Sequence, residues 1–316
     1  MCPDLITVVG STPLGESNNL IICKVKGGLG NQFFQYAAGF ALSQHFGRQL
    51  KLDLSGYSEN DGKAAHRDAD ILDFLISTPI ADPSEVARVK NRFGLFSRII
   101  RYSKTRLLRQ YFIGWHPEIF TGPVPNYLEG YFQSEKYFLD LFHILRLKFT
   151  LHPTLSEEIN SLIYLIDNMS SPISLHIRRG DYISNRHAAR IFNVCNETYY
   201  YKALSYFYDF IGEEFELVVF TDDPDWARSK VKHQGPTFFA CDFRSSNGLR
   251  LRPSQELALM SRCSHHIVPN STFSWWGAYL GLNPKKVIVA PSVWTLSNQE
   301  DYLDIVPSSW VRISPT

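Results

Sequence analysis

Short apolar runs alternate with segments of helical spacing through the C-terminal half of the chain, and this alternation constrains the fold most. The apolar or β-branched runs span residues 173–177, 217–220, 265–268 and 287–290. Segments between them, such as 198–210 and 255–263, carry apolar residues at helical spacing. Strands that alternate with helices typically form a parallel sheet covered by those helices. The sequence therefore predicts such a sheet after about residue 172.

The N-terminal half begins with a similar unit. Residues 20–25 are predicted as a strand, a helical pattern follows up to about Phe46 and ends at Gly47, and residues 50–54 are predicted as a second strand. At 316 residues the chain suits two domains of ordinary size. We predict an α/β fold with domains at 1–165 and 166–316 and a boundary between 160 and 172.

Two consecutive arginines, Arg178 and Arg179, follow the predicted strand 173–177 directly. A guanidinium group is planar and permanently charged, so it binds phosphate oxygens through paired hydrogen bonds. Ligands of open parallel sheets bind beyond the carboxyl ends of the strands. The pair therefore indicates a site for a pyrophosphate or sugar phosphate, and the alternative is a solvated Arg-Gly-Asp turn at the surface.

A glycine turn lies between the first predicted strand and helix. Gly28 and Gly30 match a dinucleotide-binding fingerprint only in part, because Phe33 occupies the place of its third glycine. We predict a turn in which Gly30 permits close approach, so that backbone amides and Asn31 face a ligand at the helix N-terminus. A plain turn is the alternative.

A second helix start follows the predicted strand 265–268. Ser271 and Thr272 place hydroxyl groups beside the free amides of a helix N-terminus, which predicts a second phosphate cradle. The alternative is ordinary capping by Asn270 or Ser271.

No metal site is predicted. Asp223 and Asp225 form a D-x-D pattern, but Asp223 stands at an N-cap position and Pro224 at the first helical position, so we interpret the pattern as capping. The histidines and cysteines show no metal-ligand spacing.

Charge and cysteine content limit partners and compartment. Lys plus Arg number 32 and Asp plus Glu 31, so no global field attracts nucleic acid. Five scattered cysteines suit a reducing compartment, and the first twenty residues lack a signal-peptide pattern, so we predict a cytoplasmic protein. Basic residues from Arg98 to Arg109 are a candidate contact with a membrane surface or an anionic acceptor.

Four segments together resemble glycosyltransferase family 11, the α-1,2-fucosyltransferases of bacterial type. They span residues 27–36, 130–138, 176–182 and 270–276. The resemblance implies a GT-B-like architecture, with two Rossmann-like domains facing across a cleft. It also implies inverting, metal-independent transfer of L-fucose from GDP-β-L-fucose to the 2-hydroxyl of a terminal galactoside, with no further cofactor. The acceptor would be a galactose-terminated oligosaccharide or a lipid-linked glycan, held mainly by the N-terminal half, and the donor would be held by the C-terminal half.

The resemblance also implies roles for individual residues. Arg178 would contact the β-phosphate, while Arg179 would tie down the turn or face the sugar. Asp181 would orient the arginines, with a catalytic base as its alternative, and Glu256 would bind the guanine edge. The remaining donor-site residues implied by the family are His176, Asn31, Ser271, Thr272 and Phe273.

The sequence leaves the identity of the general base open. Asn185 and Arg186 stand where the α-1,6 relatives carry an acid, so that assignment does not transfer. The alternatives are Asp53, an acid between Asp61 and Asp73, or proton transfer to the leaving phosphate. Rival functions are a non-catalytic glycan- or nucleotide-binding protein and an NAD(P)-dependent oxidoreductase.

Overall fold

Two parallel sheets flanked by helices make up the fold. The structure is a computed structural model and describes residues 19–58, 69–91, 113–122, 124–297 and 299–316. In the smaller sheet, β1 lies between β2 and β3 and pairs with both in parallel. These strands are β1 (Leu20–Lys24), β2 (Gln49–Asp53) and β3 (Tyr127–Leu128). The predicted strands 20–25 and 50–54 are thus confirmed to within a residue.

The larger sheet has six strands, all parallel, in the order β6-β5-β4-β7-β8-β9. They are β4 (Pro172–Ile177), β5 (Glu216–Thr221), β6 (Thr237–Phe239), β7 (His265–Ile267), β8 (Ile288–Pro291) and β9 (Val311–Ile313). After β4 the chain builds outward to β6, then returns to the other side of β4 and builds outward to β9. The neighbours β4 and β7 therefore form a topological switch point, the place where open α/β sheets bind ligands.

Thirteen α-helices are formed by the described segments. They are α1 (Leu29–Phe46), α2 (Ser55–Ser58), α3 (Pro83–Asn91), α4 (Glu118–Thr121), α5 (Phe142–Lys148), α6 (Pro153–Glu157), α7 (Asn160–Asp167), α8 (Gly180–Ser184), α9 (Arg186–Phe192), α10 (Glu197–Ile211), α11 (Pro224–Lys230), α12 (Pro253–Met260) and α13 (Thr272–Tyr279). Helix α1 ends at Gly47, as predicted, because this glycine adopts a left-handed φ of 61°. None of the helices in these segments has the length and apolar character needed to cross a membrane.

A buried aromatic layer joins the two halves of the chain. Phe33 and Phe34 of α1 pack against Trp275 and Trp276 of α13, with ring centroids 4.6 Å apart for Phe34 and Trp275 and 5.5 Å apart for Phe33 and Trp276. All four side chains are fully buried. Because aromatic side chains bury the most area per residue, this layer fixes α1 against α13. The N-termini of the two helices consequently meet.

Gly30 permits that meeting. A Cβ atom at this position would lie 2.2 Å from the carbonyl carbon of Thr272 and 2.4 Å from the amide nitrogen of Phe273. No side chain fits there, so glycine is required by the approach of one helix to another. The sequence-based reason for Gly30 was the approach of a ligand; the structure adds the approach of α13, and Gly30 also lines the cavity described below.

Candidate functional site

A cavity of about 540 Å³ lies at the switch point of the larger sheet, a size typical of small-molecule sites. The first turns of α1 and α13, the residues that follow β4 and β5, and the start of α12 line it. Nine of the predicted site residues contribute to its walls: Gly30, Asn31, His176, Arg178, Asp181, Glu256, Ser271, Thr272 and Phe273. Arg179 does not line it.

Arg178 is held at the cavity wall by two carboxylates. One terminal nitrogen of its guanidinium lies 2.6 Å from Asp181 Oδ1, and the other lies 2.8 Å from Asp222 Oδ2. Charge-assisted bonds of this length fix the orientation of the group. Its side chain is 30% exposed, so it remains accessible to a ligand.

Asp222 was not predicted as a site residue. The acidic run at 222–225 was explained by helix capping alone. A signal was available in the strand pattern, because Asp222 follows β5 as Arg178 follows β4, and these neighbouring strands pair His176 with Phe220. Residues just beyond paired positions of parallel strands meet at the same edge of the sheet.

Arg179 contacts residues at the start of α11 and does not line the cavity. Its backbone amide donates to Asp222 Oδ1 at 2.8 Å, and its Nε lies 3.0 Å from Asp223 Oδ2. Its guanidinium carbon lies 4.2 Å above the ring of Trp226. Asp223 also accepts the amide of Trp226 at 3.2 Å, which confirms the predicted N-cap. The structure therefore supports the tie-down alternative for Arg179.

Arg179→Ala is expected to affect stability more than chemistry. It removes a cation–π contact and a partly exposed ion pair, together worth about 1–2 kcal/mol of unfolding free energy. We expect kcat to fall by less than about tenfold, since Arg178 keeps both carboxylate partners. Urea unfolding and initial rates measure the two effects. Unchanged stability with near-complete loss of turnover would place Arg179 at the donor.

His176 is a neutral group inside the site. Its side chain is 6% exposed, its ring centroid lies 5.6 Å from that of Phe273, and its Nδ1 has no hydrogen-bond partner among the described residues. Burial and the nearby Arg178 lower its pKa to about 3. An imidazole with so low a pKa is a poor general base near pH 7 but can still hydrogen-bond a ligand.

The start of α13 keeps its hydrogen-bonding capacity. The N-cap residue Ser271 makes no side-chain bond to the helix, so the capping alternative does not describe it. Asn270 instead donates to the carbonyl oxygens of Phe192 and Trp294 at 2.9 and 3.0 Å. First-turn amides of a helix lack partners within the helix. They are suited to bind an anion at the cavity wall.

Asn31 is held by Gln133, whose Nε2 donates to Asn31 Oδ1 at 2.9 Å. Gln133 lies in the segment 130–138 that carried part of the family resemblance, but no role was predicted for it. The contact restrains the Asn31 amide, and both residues line the cavity.

The candidate general bases differ in whether they line the cavity. Asp53 is 2% exposed, accepts from the Tyr127 hydroxyl at 2.6 Å and does not line the cavity. Asp73 accepts from Ser254 at 2.5 Å and also lies outside the cavity lining. Asp61 falls outside the described residues. Asp68 falls outside them as well, and of the acids in this group that the structure describes, Asp70 lines the cavity.

Glu256 lies in the first turn of α12, and burial raises the pKa of its carboxyl to about 7. The 3-10 helix Asp70–Asp73 packs beside it through the bond between Asp73 and Ser254. Asp70, Pro253 and Glu256 all line the cavity.

The chain belongs to glycosyltransferase family 11. The sequence model of Glycosyl transferase family 11 matches residues 101–314. The chain is 33% identical to an α-1,2-colitosyltransferase of Escherichia coli, over 93% of this chain and 99% of the relative. It is 28% identical to the galactoside 2-α-L-fucosyltransferase Sec1 of Mus musculus, over 81% of this chain and 63% of that protein.

A solved structure agrees in fold. The fucosyltransferase NodZ from Bradyrhizobium matches with a TM-score of 0.51 and 15% identity, over 86% of this chain and 94% of that one. The predicted GT-B-like α/β fold and the predicted family are confirmed, and the chain is a glycosyltransferase.

Proposed function

We propose that this glycosyltransferase transfers L-fucose from GDP-β-L-fucose to the 2-hydroxyl of a terminal galactoside, with inversion and without a metal ion. The observation that carries the proposal is the convergence of Arg178 with the N-termini of α1 and α13 at one cavity. A guanidinium and two helix N-termini all favour an anion. A diphosphate bound between them needs no other cation. The mouse relative is named as a galactoside fucosyltransferase.

Arg178 would stabilise the leaving group. The acceptor oxygen forms a bond to C1 of fucose while the bond from C1 to the β-phosphate oxygen breaks, so negative charge grows on GDP and the sugar becomes oxocarbenium-like. A guanidinium has five N–H donors, so Arg178 can retain Asp222 and still bind the β-phosphate. Asp181, which is 47% exposed, is the partner more easily exchanged. Before the donor binds, Asp181 orients Arg178.

The other donor contacts follow from the cavity. Ser271, Thr272 and Phe273 would bind the phosphates, His176 would lie beside the nucleotide, and Asn31 would face the transferred sugar. The proton of the acceptor hydroxyl would pass to Asp70 or to an oxygen of the leaving phosphate. No cofactor other than the donor is needed.

Glu256 is proposed to accept hydrogen bonds from guanine N1–H and the N2 amino group, which requires the ionised carboxylate. Because its pKa is about 7 before GDP binds, binding at lower pH must first remove a proton. We expect GDP affinity to be about tenfold lower at pH 6 than at pH 8, as measured by calorimetry.

Glu256→Gln supplies the control, since the terminal phosphate of GDP itself titrates near pH ~6. The variant should bind more weakly at pH 8 and show only the phosphate's pH dependence. Identical profiles for the two proteins would remove Glu256 from guanine recognition.

The transfer reaction tests the proposal. The protein is incubated with GDP-fucose and lactose in EDTA, and the product is analysed by mass spectrometry and NMR. We expect a trisaccharide with fucose α-linked to the galactose 2-hydroxyl. GDP binding without transfer to any galactose-terminated acceptor would favour a non-catalytic binding protein instead.

A second candidate donor, which carries colitose in place of L-fucose, is favoured by one observation, the 33% identity to a colitosyltransferase. Colitose is the 3-deoxy form of L-fucose, so the two donors differ by a single hydroxyl group. A site that hydrogen-bonds this hydroxyl would discriminate strongly against the deoxy donor. Comparison of kcat/KM for the two GDP-sugars decides between them.

The cytoplasmic location and the membrane-side contact stay predictions. The basic stretch from Arg98 to Arg109 lies outside the described residues.

A further inference from the structure

Five aromatic side chains that line the cavity are not used by the proposed donor contacts. They are Tyr131, Tyr182, Phe192, Trp294 and Tyr302. The rings of Tyr182 and Phe192 stack with centroids 5.4 Å apart. Asn270 fastens the backbone of Phe192 to that of Trp294. We call this set the aromatic wall, and three of its members are linked to one another by ring stacking and by the buried amide of Asn270.

Tyr131 and Tyr302 complete the aromatic wall. Both line the cavity, and burial, Asp301 and Tyr131 raise the pKa of the Tyr302 hydroxyl to about 12. Tyr131 is 37% exposed, and Lys26 Nζ lies 5.5 Å from its ring centroid. The tyrosine ring is therefore positioned by a neighbour yet remains accessible to a ligand.

The backbone beside Tyr131 is strained. Phe132 has a φ of 51°, and it is the one non-glycine residue with a positive φ in the described part of the chain. Such a conformation costs about 1–3 kcal/mol and persists where the surroundings impose it, often at functional sites. Phe132 itself is buried against Tyr137. Tyr131 and Gln133, on either side of it, both line the cavity.

The residues that line the cavity differ in chemistry. Glu256 has a carboxylate that can accept hydrogen bonds from a base. The aromatic wall adjoins Arg178, since the guanidinium carbon is 5.7 Å from the ring centroid of Tyr182. A galactose ring is uncharged and has an apolar face of C–H groups, which stacks on aromatic rings and needs no cation.

We propose that the aromatic wall is the acceptor subsite and that it binds the galactose ring of the acceptor by stacking. The inference rests on the proposed function and extends it. It places much of the acceptor site on the C-terminal half, whereas the sequence predicted the N-terminal half as its main location. The fucose C1 would then lie between the aromatic wall and Arg178.

Tyr131→Ala tests this inference, with Tyr302→Ala as a second variant should the first fail to fold. We expect KM for lactose to rise by about tenfold, the equivalent of one lost aromatic contact, while the Kd of GDP stays unchanged in calorimetry. Tyr201→Ala is the matched control, because Tyr201 is 71% exposed and does not line the cavity. It should leave both constants unchanged.

Two outcomes of the kinetic and calorimetric comparison would overturn the acceptor subsite. Weaker GDP binding with an unchanged KM for lactose would assign the aromatic wall to guanine, and unchanged constants would leave it without a role. If the wild-type protein transfers no fucose to any galactoside, the proposed function fails. Saturation-transfer NMR with lactose and GDP then tests the acceptor subsite separately. A lactose signal that Tyr131→Ala removes would support the subsite, and no signal with the wild-type protein would overturn it.

Discussion

Arg178→Ala is expected to lower kcat for fucosyl transfer by about 10²–10³-fold, the range found when one preorganised donor to a developing anion is removed. Arg178 is the guanidinium that the structure brings to the cavity wall. Without it, the charge that grows on GDP faces Asp181 and Asp222 with no intervening cation. Initial rates with saturating GDP-fucose and lactose measure the effect.

Arg178→Lys separates charge from geometry. Lysine keeps one positive charge but cannot bind a carboxylate and a phosphate through a planar fork. We therefore expect activity between those of the wild-type protein and Arg178→Ala. Urea unfolding should show a folded protein in both variants. Wild-type turnover in Arg178→Ala would remove the arginine from the reaction.

Gly30→Ala is expected to have the largest effect on stability. The added Cβ would overlap backbone atoms of Thr272 and Phe273, and no change of side-chain rotamer relieves a backbone overlap. The first turns of α1 and α13 must then separate, which disturbs the aromatic layer behind them. We expect a loss of about 3 kcal/mol of unfolding free energy and weakened GDP binding.

Gly56→Ala is the matched control. It lies in α2, where the nearest atom to an added Cβ is Lys26 Cβ at 4.0 Å. The substitution should be neutral or slightly stabilising, since it only restricts the unfolded chain. Equal stability of the two variants would contradict the close approach of α1 to α13.

The sequence predicted the elements that have strong local patterns. Apolar runs predicted β4, β5, β7 and β8, and glycine and N-cap signals predicted the end of α1 and the start of α11. The strands β3, β6 and β9 were not predicted. Tyr127–Leu128 has two residues, and Thr237–Phe239 and Val311–Ile313 are short edge strands that are only partly buried. The equally short β7 is buried throughout and lies within a longer apolar run.

The site was predictable to the extent that it lies at strand and helix ends. Arg178, Ser271 and Asn31 follow from that rule. Asp222 was not predicted, because helix capping already explained the acidic run in which it lies. Its carboxylate comes close to Arg178 only because β5 pairs with β4. Gln133 and Tyr131 depend on a strained backbone at Phe132, which no propensity predicts. Long-range packing decides these positions.

A crystal structure of the protein with bound GDP tests the central claim most directly. We predict the β-phosphate within hydrogen-bond distance of Arg178 and of the first-turn amides of α13, with guanine against Glu256. GDP bound with its phosphates away from Arg178, or with its base on the aromatic wall, would contradict the account.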